Sequence, residues 1–107
     1  MAKLEQTVSG DFYELLRKIE NGIQNSSMSA SLEEFSDFES GTARCSVRVF
    51  ERYSYIGGNR VSMNVTILGY QDYIELIAIT AGGSQATFFK VNTWGEEAFL
   101  DKLKELL

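Results

Sequence analysis

The sequence contains no histidine and no proline among its 107 residues, and its only cysteine is Cys45. Histidine is the commonest general base and the commonest transition-metal ligand, so its absence removes the usual catalytic triads and most metal sites. A single cysteine excludes an internal disulfide and a zinc thiolate cluster. The composition therefore disfavours an enzyme. We assign no catalytic residue, no metal and no cofactor, and chemistry by Glu, Tyr, Lys or Arg is what stays open.

Long hydrophobic runs are also missing. No apolar stretch approaches the roughly 18 residues that a membrane-crossing helix needs. The first residues lack the apolar centre of a signal peptide, so we expect a cytoplasmic protein without a membrane partner. The formal net charge of −5 opposes non-specific attraction to nucleic acid, which is not expected as a partner either.

The first part of the chain carries a weak strand pattern and a clear helix pattern. Residues 3–8 alternate, and Asp11 and Glu14 form a capping box at the start of a helix predicted for residues 11–21. Asn21 and Gly22 are expected to end that helix. A strand pattern begins near Met28, and its broken alternation predicts a bulge near Glu33 and Glu34.

The strongest signal is a long antiparallel hairpin over residues 42–68. Cys45, Val47 and Val49 alternate with polar residues, and so do Val61, Met63, Val65 and Ile67. A three-residue loop, Gly57 to Asn59, would place both apolar sets on one face, with Val49 opposite Ile67 and Arg52 opposite Asn64. We predict that register and a buried core that contains Val47, Val49, Val61, Val65, Ile67, Leu15, Ile19, Phe99 and Leu103.

The last part of the chain predicts a strand and a helix. Residues 73–80 are nearly continuously apolar, which is typical of a strand covered on both faces. Residues 86–91 are strand-like but short, and whether Gln85 to Val91 forms a true strand is open. Thr93 and Glu96 form a second capping box, which predicts a helix over residues 94–106.

These elements predict a single α+β domain over residues 1–107, in the order β-α-β-β-β-β-(β)-α. One curved antiparallel sheet with both helices on one face is the natural two-layer arrangement. This order resembles the TATA-binding-protein-like and Bet v 1-like helix-grip folds. The segments "SASLEEFSDFESGTARCSVRVFERYSYIGGNRVSMNVT" and "AGGSQATFFKVNTWGEEAFLDKL" resemble a family of small bacterial proteins catalogued only as a domain of unknown function. The resemblance implies a bacterial, cytoplasmic protein and no site residue.

One strand of the hairpin places several arginines on one predicted face, and this face could hold an acidic partner, an anionic ligand or a second copy of the protein. The predicted interaction face consists of Arg44, Arg48, Phe50, Arg52, Arg60 and Asn64. A solvated sheet face with polar cross-strand pairs is the alternative.

Two further sets of residues could contact a ligand. Adjacent glycines in "AGGSQA" could expose backbone N–H groups to an anion, beside Ser84 and Gln85. A bend that carries the chain from the last long strand towards the C-terminal helix would need the same Gly82 and Gly83. Glu51 falls on the apolar side of its strand by parity, so it is either a buried acid or a residue at a rim or bulge.

Two classes of function follow. The first is a non-enzymatic binding or assembly domain that forms a homodimer through the open sheet face. The second is a small-ligand-binding protein, or an enzyme that uses Glu, Tyr and Arg, with a cavity between the sheet and the C-terminal helix.

Overall fold

A computed structural model describes residues 1–54, 59–82 and 89–107 of the chain. Five strands and two helices follow one another in the predicted α+β order. The elements are β1 (Ala2–Ser9), α1 (Phe12–Gln24), β2 (Ser31–Ser40), β3 (Ala43–Ser54), β4 (Asn59–Tyr70), β5 (Tyr73–Gly82) and α2 (Phe89–Lys104).

The strands form one open antiparallel sheet with the order β1-β5-β4-β3-β2. Strands β2 to β5 follow one another as a meander, and β1 pairs with β5 at the far edge. Both helices pack on the same side of the sheet, so this side is the covered face and the other side is the open face. The predicted two-layer α+β class is confirmed. Neither helix, over its described residues, is long and apolar enough to cross a membrane.

Helix α1 begins as predicted and ends later. The Asp11 carboxylate accepts a hydrogen bond of 2.9 Å from the Glu14 backbone N–H, which satisfies one of the free donors of the first turn. The prediction that Asn21 and Gly22 end the helix is wrong. Ile23 is fully buried, and its burial keeps the last turn in place through Gln24.

Helix α2 begins before the predicted capping box. It starts at Phe89, so Thr93 lies inside the helix and residues 89–91 are helical rather than extended. The predicted short strand is therefore wrong over those residues, and residues 85–88 lie outside the described residues. The Glu96 carboxylate does not cap the helix, because it accepts a hydrogen bond of 2.7 Å from the Gly82 N–H.

The predicted bulge in β2 is confirmed, since the pairing with β3 shifts between Leu32 and Glu34. The predicted register of the central hairpin is wrong. Ser54 pairs with Asn59, and Arg52 lies opposite Val61 instead of Asn64. The two glycines of the proposed loop, Gly57 and Gly58, lie outside the described residues.

This register puts the opposite side of β3 against the helices. Phe50 lies opposite Met63, and both side chains are fully buried. Val47 and Val49, which we predicted to be buried, lie on the open face and are only partly covered. The other predicted core residues are buried, and they are Leu15, Ile19, Val61, Val65, Ile67, Phe99 and Leu103.

Strand β5 is covered on one face only, contrary to the prediction. Ile74 and Leu76 are buried against the helices, and α2 packs mainly on this strand. Ile77 and Ile79 point to the open face and are 43% and 40% exposed. A nearly continuous apolar sequence therefore has a solvent-exposed side.

Candidate functional site

The open face of the sheet carries many exposed apolar side chains. Each strand from β2 to β5 contributes at least one, and their exposed fractions are about half or less for most of them. The exposed residues are Phe38, Tyr53, Leu68, Tyr70, Tyr73, Ile77 and Ile79. Cys45, Val47 and Val49 lie between them and are partly covered. Apolar patches of this extent mark interaction sites more often than isolated exposed residues do.

The side chains of the open face are arranged in rows across the strands. One row runs from the β1 edge to the β2 edge through Lys3, Ile79, Asn64, Val49 and Glu34, each paired with the next. Its middle is apolar or neutral, and its two ends carry opposite charges. The next row has Ile77 and Val47 on either side of Thr66, so it repeats the apolar pattern.

Some charged groups of the open face already have partners within the same copy. Arg60 Nε lies 3.0 Å from Glu51 Oε1, which answers the question that the position of Glu51 raised. Glu51 is a rim residue and not a buried acid, because its side chain is one-third exposed and ion-paired. Lys3 and Glu5 form a second pair at 2.9 Å on the β1 edge.

A charge cluster on the covered face is centred on a buried arginine. Arg48 is 4% exposed, and its guanidinium lies 2.6 Å from Glu20 of α1 and 2.9 Å from Asp37 of β2. The Phe35 ring packs over it, with 5.1 Å between the guanidinium carbon and the ring centroid. Ser46 donates a further hydrogen bond of 2.6 Å to Asp37.

The contacts within this cluster raise the pKa of Arg48 and lower the pKa of Asp37. Burial alone would lower the pKa of Arg48, but hydrogen bonds and charge attraction from Asp37 and Glu20 outweigh it, so the pKa is raised. The hydrogen bonds from Arg48 and then Ser46 lower the pKa of Asp37. The cluster is a satisfied structural ion-pair network, because every charge in it has an opposite charge in contact.

The other two arginines on the covered side of β3 stack on aromatic rings. The Arg44 guanidinium lies 5.6 Å from the Phe12 ring centroid and 5.3 Å from that of Tyr13. At the opposite end of β3, the Arg52 guanidinium lies 4.9 Å from the Phe99 ring centroid of α2. Such cation–π contacts orient a guanidinium without neutralising its charge.

The predicted interaction face is split between the two sides of the sheet. Arg44, Arg48, Phe50 and Arg52 point to the helices, whereas Arg60 and Asn64 lie on the open face. The expectation that all six share one exposed face is wrong. Burial of the arginine side is possible because Glu20 and Asp37 neutralise its central guanidinium.

The predicted ligand loop falls only partly within the described residues. Gly82 ends β5 opposite Val61, with an N–H bonded to Glu96, while Gly83, Ser84 and Gln85 lie outside the described residues. Glu96 is 4% exposed, and its other oxygen lies 3.0 Å from the Met1 amine. Sequence reasoning missed this buried acid because the spacing Thr93 to Glu96 imitates a capping box.

Sequence reasoning also missed the apolar open face. The signal was present in the sequence. Leu68 occupies an even position of β4, whereas Ile77 and Ile79 occupy odd positions of β5, and these positions share one side of the sheet once the strands are paired. Within the parts of the chain that the structure describes, no three carboxylate or thiol side chains come together to hold a metal ion.

Comparisons with known proteins give a family and no activity. No curated protein matches the chain. A family model described as "Family of unknown function (DUF6054)" matches residues 1–107, which is the whole sequence. The chain therefore belongs to the DUF6054 family, whose function is unknown.

Proposed function

We propose that the protein is a non-enzymatic cytoplasmic binding or assembly domain, formed by residues 1–107, that pairs with a second copy through the open face. The observation that carries the proposal is the exposed apolar side of β5 and β4, where Ile77, Ile79 and Leu68 are each at least 40% exposed. Burying such side chains against another apolar surface is favourable by about 25 cal/mol per Å².

The size of the open face fits a dimer. Five strands spaced by about 4.8 Å give a width of roughly 24 Å, and strands of this length give a height of roughly 30 Å. A face of that size would bury roughly 700 Å² per copy, or about 1,400 Å² in total, which lies in the range of stable specific interfaces. Two packed sheets lie about 10 Å apart with strands aligned within about 30°.

The arrangement of charges supports a second copy as the occupant. β4 is the middle strand of the sheet, so a two-fold axis running along it reverses each row end for end. The Lys3–Glu34 row then places Lys3 of each copy over Glu34 of the other, and Asn64 over its own equivalent. Both ends of this row become ion pairs, and the aliphatic residues meet between them.

The apolar centre is equally self-complementary. Reversal of the rows places Ile79 over Val49 and Ile77 over Val47 of the second copy, since these residues occupy mirrored positions about β4. Isoleucine and valine also differ in size, so larger side chains of β5 meet smaller ones of β3. A surface that fits its own rotated image is the requirement for a closed dimer.

The cavity alternative is not favoured by the packing between the sheet and α2. Val61, Met63, Phe99 and Leu103 are fully buried there and fill the described part of that interface. Filled apolar space of this kind leaves no room for a substrate of ordinary size.

Sedimentation equilibrium of three proteins tests the proposal. We expect the unaltered protein to be a dimer at micromolar concentration, and Ile77→Lys to be a monomer because it places a charge in the apolar centre. Lys18→Glu is the matched control, since Lys18 is exposed on α1 and away from the open face. A monomeric unaltered protein, or a dimer in Ile77→Lys, would contradict the proposal.

A charge exchange tests the two-fold arrangement itself. Lys3→Glu and Glu34→Lys each place like charges together, and each should weaken its own dimer about tenfold, from two contacts worth roughly 0.5–1 kcal/mol apiece. Mixing the two variants should restore a heterodimer, because both ends of the row then pair opposite charges. Failure of the mixture to exceed its parents in affinity would overturn this arrangement.

A further inference from the structure

We infer that Arg52 binds an oxyanion, the carboxylate or phosphate group of a small molecule, at the end of the covered face where β3 approaches α2. This site lies on the opposite side of the sheet from the open face, so it does not depend on self-association.

The position of Arg52 is defined by two contacts. Its guanidinium stacks on the Phe99 ring at 4.9 Å, and its strand neighbour across the sheet is the fully buried Val61. The next position in that row is Gly82, which has no side chain. Arg52 is partly buried, so one side of its guanidinium is covered by an apolar surface while solvent can still reach it.

No carboxylate neutralises this guanidinium. Among the described residues, Arg52 has no ion pair, and its neighbour Glu51 points to the other face and contacts Arg60. Glu96 is engaged by the Gly82 N–H and the Met1 amine. Residues 54–59 and 83–94 contain no Asp or Glu. An acidic partner for Arg52 therefore cannot come from those segments.

Arg48 shows what the protein does with an arginine that serves only structure. That residue, on the same face of the same strand, has a carboxylate from α1 and one from β2. Among the described residues, Arg52 has an aromatic ring and no acidic partner, and burial lowers its pKa because the charged form loses water without gaining a counter-charge. A guanidinium in this state has its donors free for the two oxygens of a carboxylate or phosphate, which it pairs in fork geometry.

The surroundings also limit the ligand. Gly82 lies about two strand spacings, or roughly 10 Å, from Arg52, and the buried Glu96 carboxylate is bonded there. The Met1 amine balances that carboxylate, so neither charge there is left to pair with a second charged group of the ligand. We therefore assign a ligand with one oxyanion group on Arg52 and an uncharged remainder, and the Phe99 ring provides an apolar surface beside it.

Titration followed by NMR tests the assignment, with inorganic phosphate and acetate as the probes at constant ionic strength. We expect saturable shifts of the Arg52 side-chain Nε–H and of the Phe99 ring. Saturation by phosphate alone would identify a phosphate ligand, and saturation by acetate alone a carboxylate. Shifts that stay linear for both probes would overturn the assignment.

Two variants and a control show whether Arg52 carries the binding. Arg52→Gln should lose at least tenfold in affinity, and Arg60→Gln, which removes a guanidinium from the open face, should change it less than twofold. Arg52→Lys keeps the charge and the aliphatic stem but not the fork, so it should lose about threefold and serves as the test if Arg52→Gln fails to fold. Unchanged affinity in a folded Arg52→Gln, or in Arg52→Lys if Arg52→Gln does not fold, would overturn the assignment.

Discussion

On β3, the side with more charged residues is the covered one, and the side with more apolar residues is the open one. The covered face carries the buried Arg48 beside the buried Phe50, while the open face carries Val47 and Val49 in partly exposed positions. The polarity of one strand therefore does not decide which of its sides is inside. A charged residue can be buried where opposite charges reach it, and valines can stay outside where nothing covers them.

Neighbouring strands make this decision. On β4, Val61 and Met63 are fully buried and alternate with the polar Ser62 and Asn64, so this strand has one unambiguous core side. Pairing then places the arginine side of β3 on that same side. The cost of burying Arg48 is offset by Glu20 and Asp37, which come from two different elements.

The largest test of this comparison removes one apolar side chain from each face. Phe50→Ala should lower the free energy of unfolding by about 3–5 kcal/mol, because it empties a fully packed site. Ile77→Ala on the open face should cost less than about 1 kcal/mol in the monomer, since its side chain is already 43% exposed. Chemical denaturation at a concentration too low for dimers measures both. Similar losses would show that the open face is covered within one copy.

A smaller effect is expected from adding a methyl group to the covered face. A Cβ at Gly69 would lie 2.6 Å from Cδ2 of the Phe12 ring, so Gly69→Ala should cost about 1–3 kcal/mol through overpacking. Combining it with Phe12→Leu, which shortens the clashing side chain, should cost less than the sum of the two single changes. Strict additivity in this double-mutant cycle would mean that the Phe12 ring does not contact Gly69.

The smallest effect concerns acid. The pKa of Asp37 is lowered in the folded state, so its contribution to stability is present above its unfolded value of about 3.9 and disappears as the pH falls through the folded value. Since its side chain is 53% exposed, we expect less than about 1 kcal/mol from this ion pair. Asp37→Asn should flatten the acid limb of the stability curve. An unchanged acid limb would mean that groups other than Asp37 cause the loss of stability at low pH.

Local patterns predicted most of the elements and few of the contacts. The bulge after Leu32 and the Asp11 cap follow from short-range spacing and are confirmed. The capping box at Thr93 was misleading, because Glu96 bonds to Gly82 instead of to its own helix. The candidate site was mispredicted for a related reason. Its arginines were assigned to solvent by polarity alone, and the partners of Arg48 are distant in the sequence.

Sequence periodicity alone predicted the α+β class, the central hairpin of β3 and β4 and the apolar side of β4, since each rests on a pattern within a few residues. The side of β3 that meets the helices became known only from the packing of the whole fold. The observed register of the hairpin differs from the predicted one by three residues, and an odd shift turns every side chain of a strand to the other face. In the observed register, Glu20 and Asp37 meet Arg48 across the fold and offset the cost of burying it. The same register leaves Arg52 beside Phe99 with no acidic partner among the described residues, and it leaves the valines of β3 on the open face.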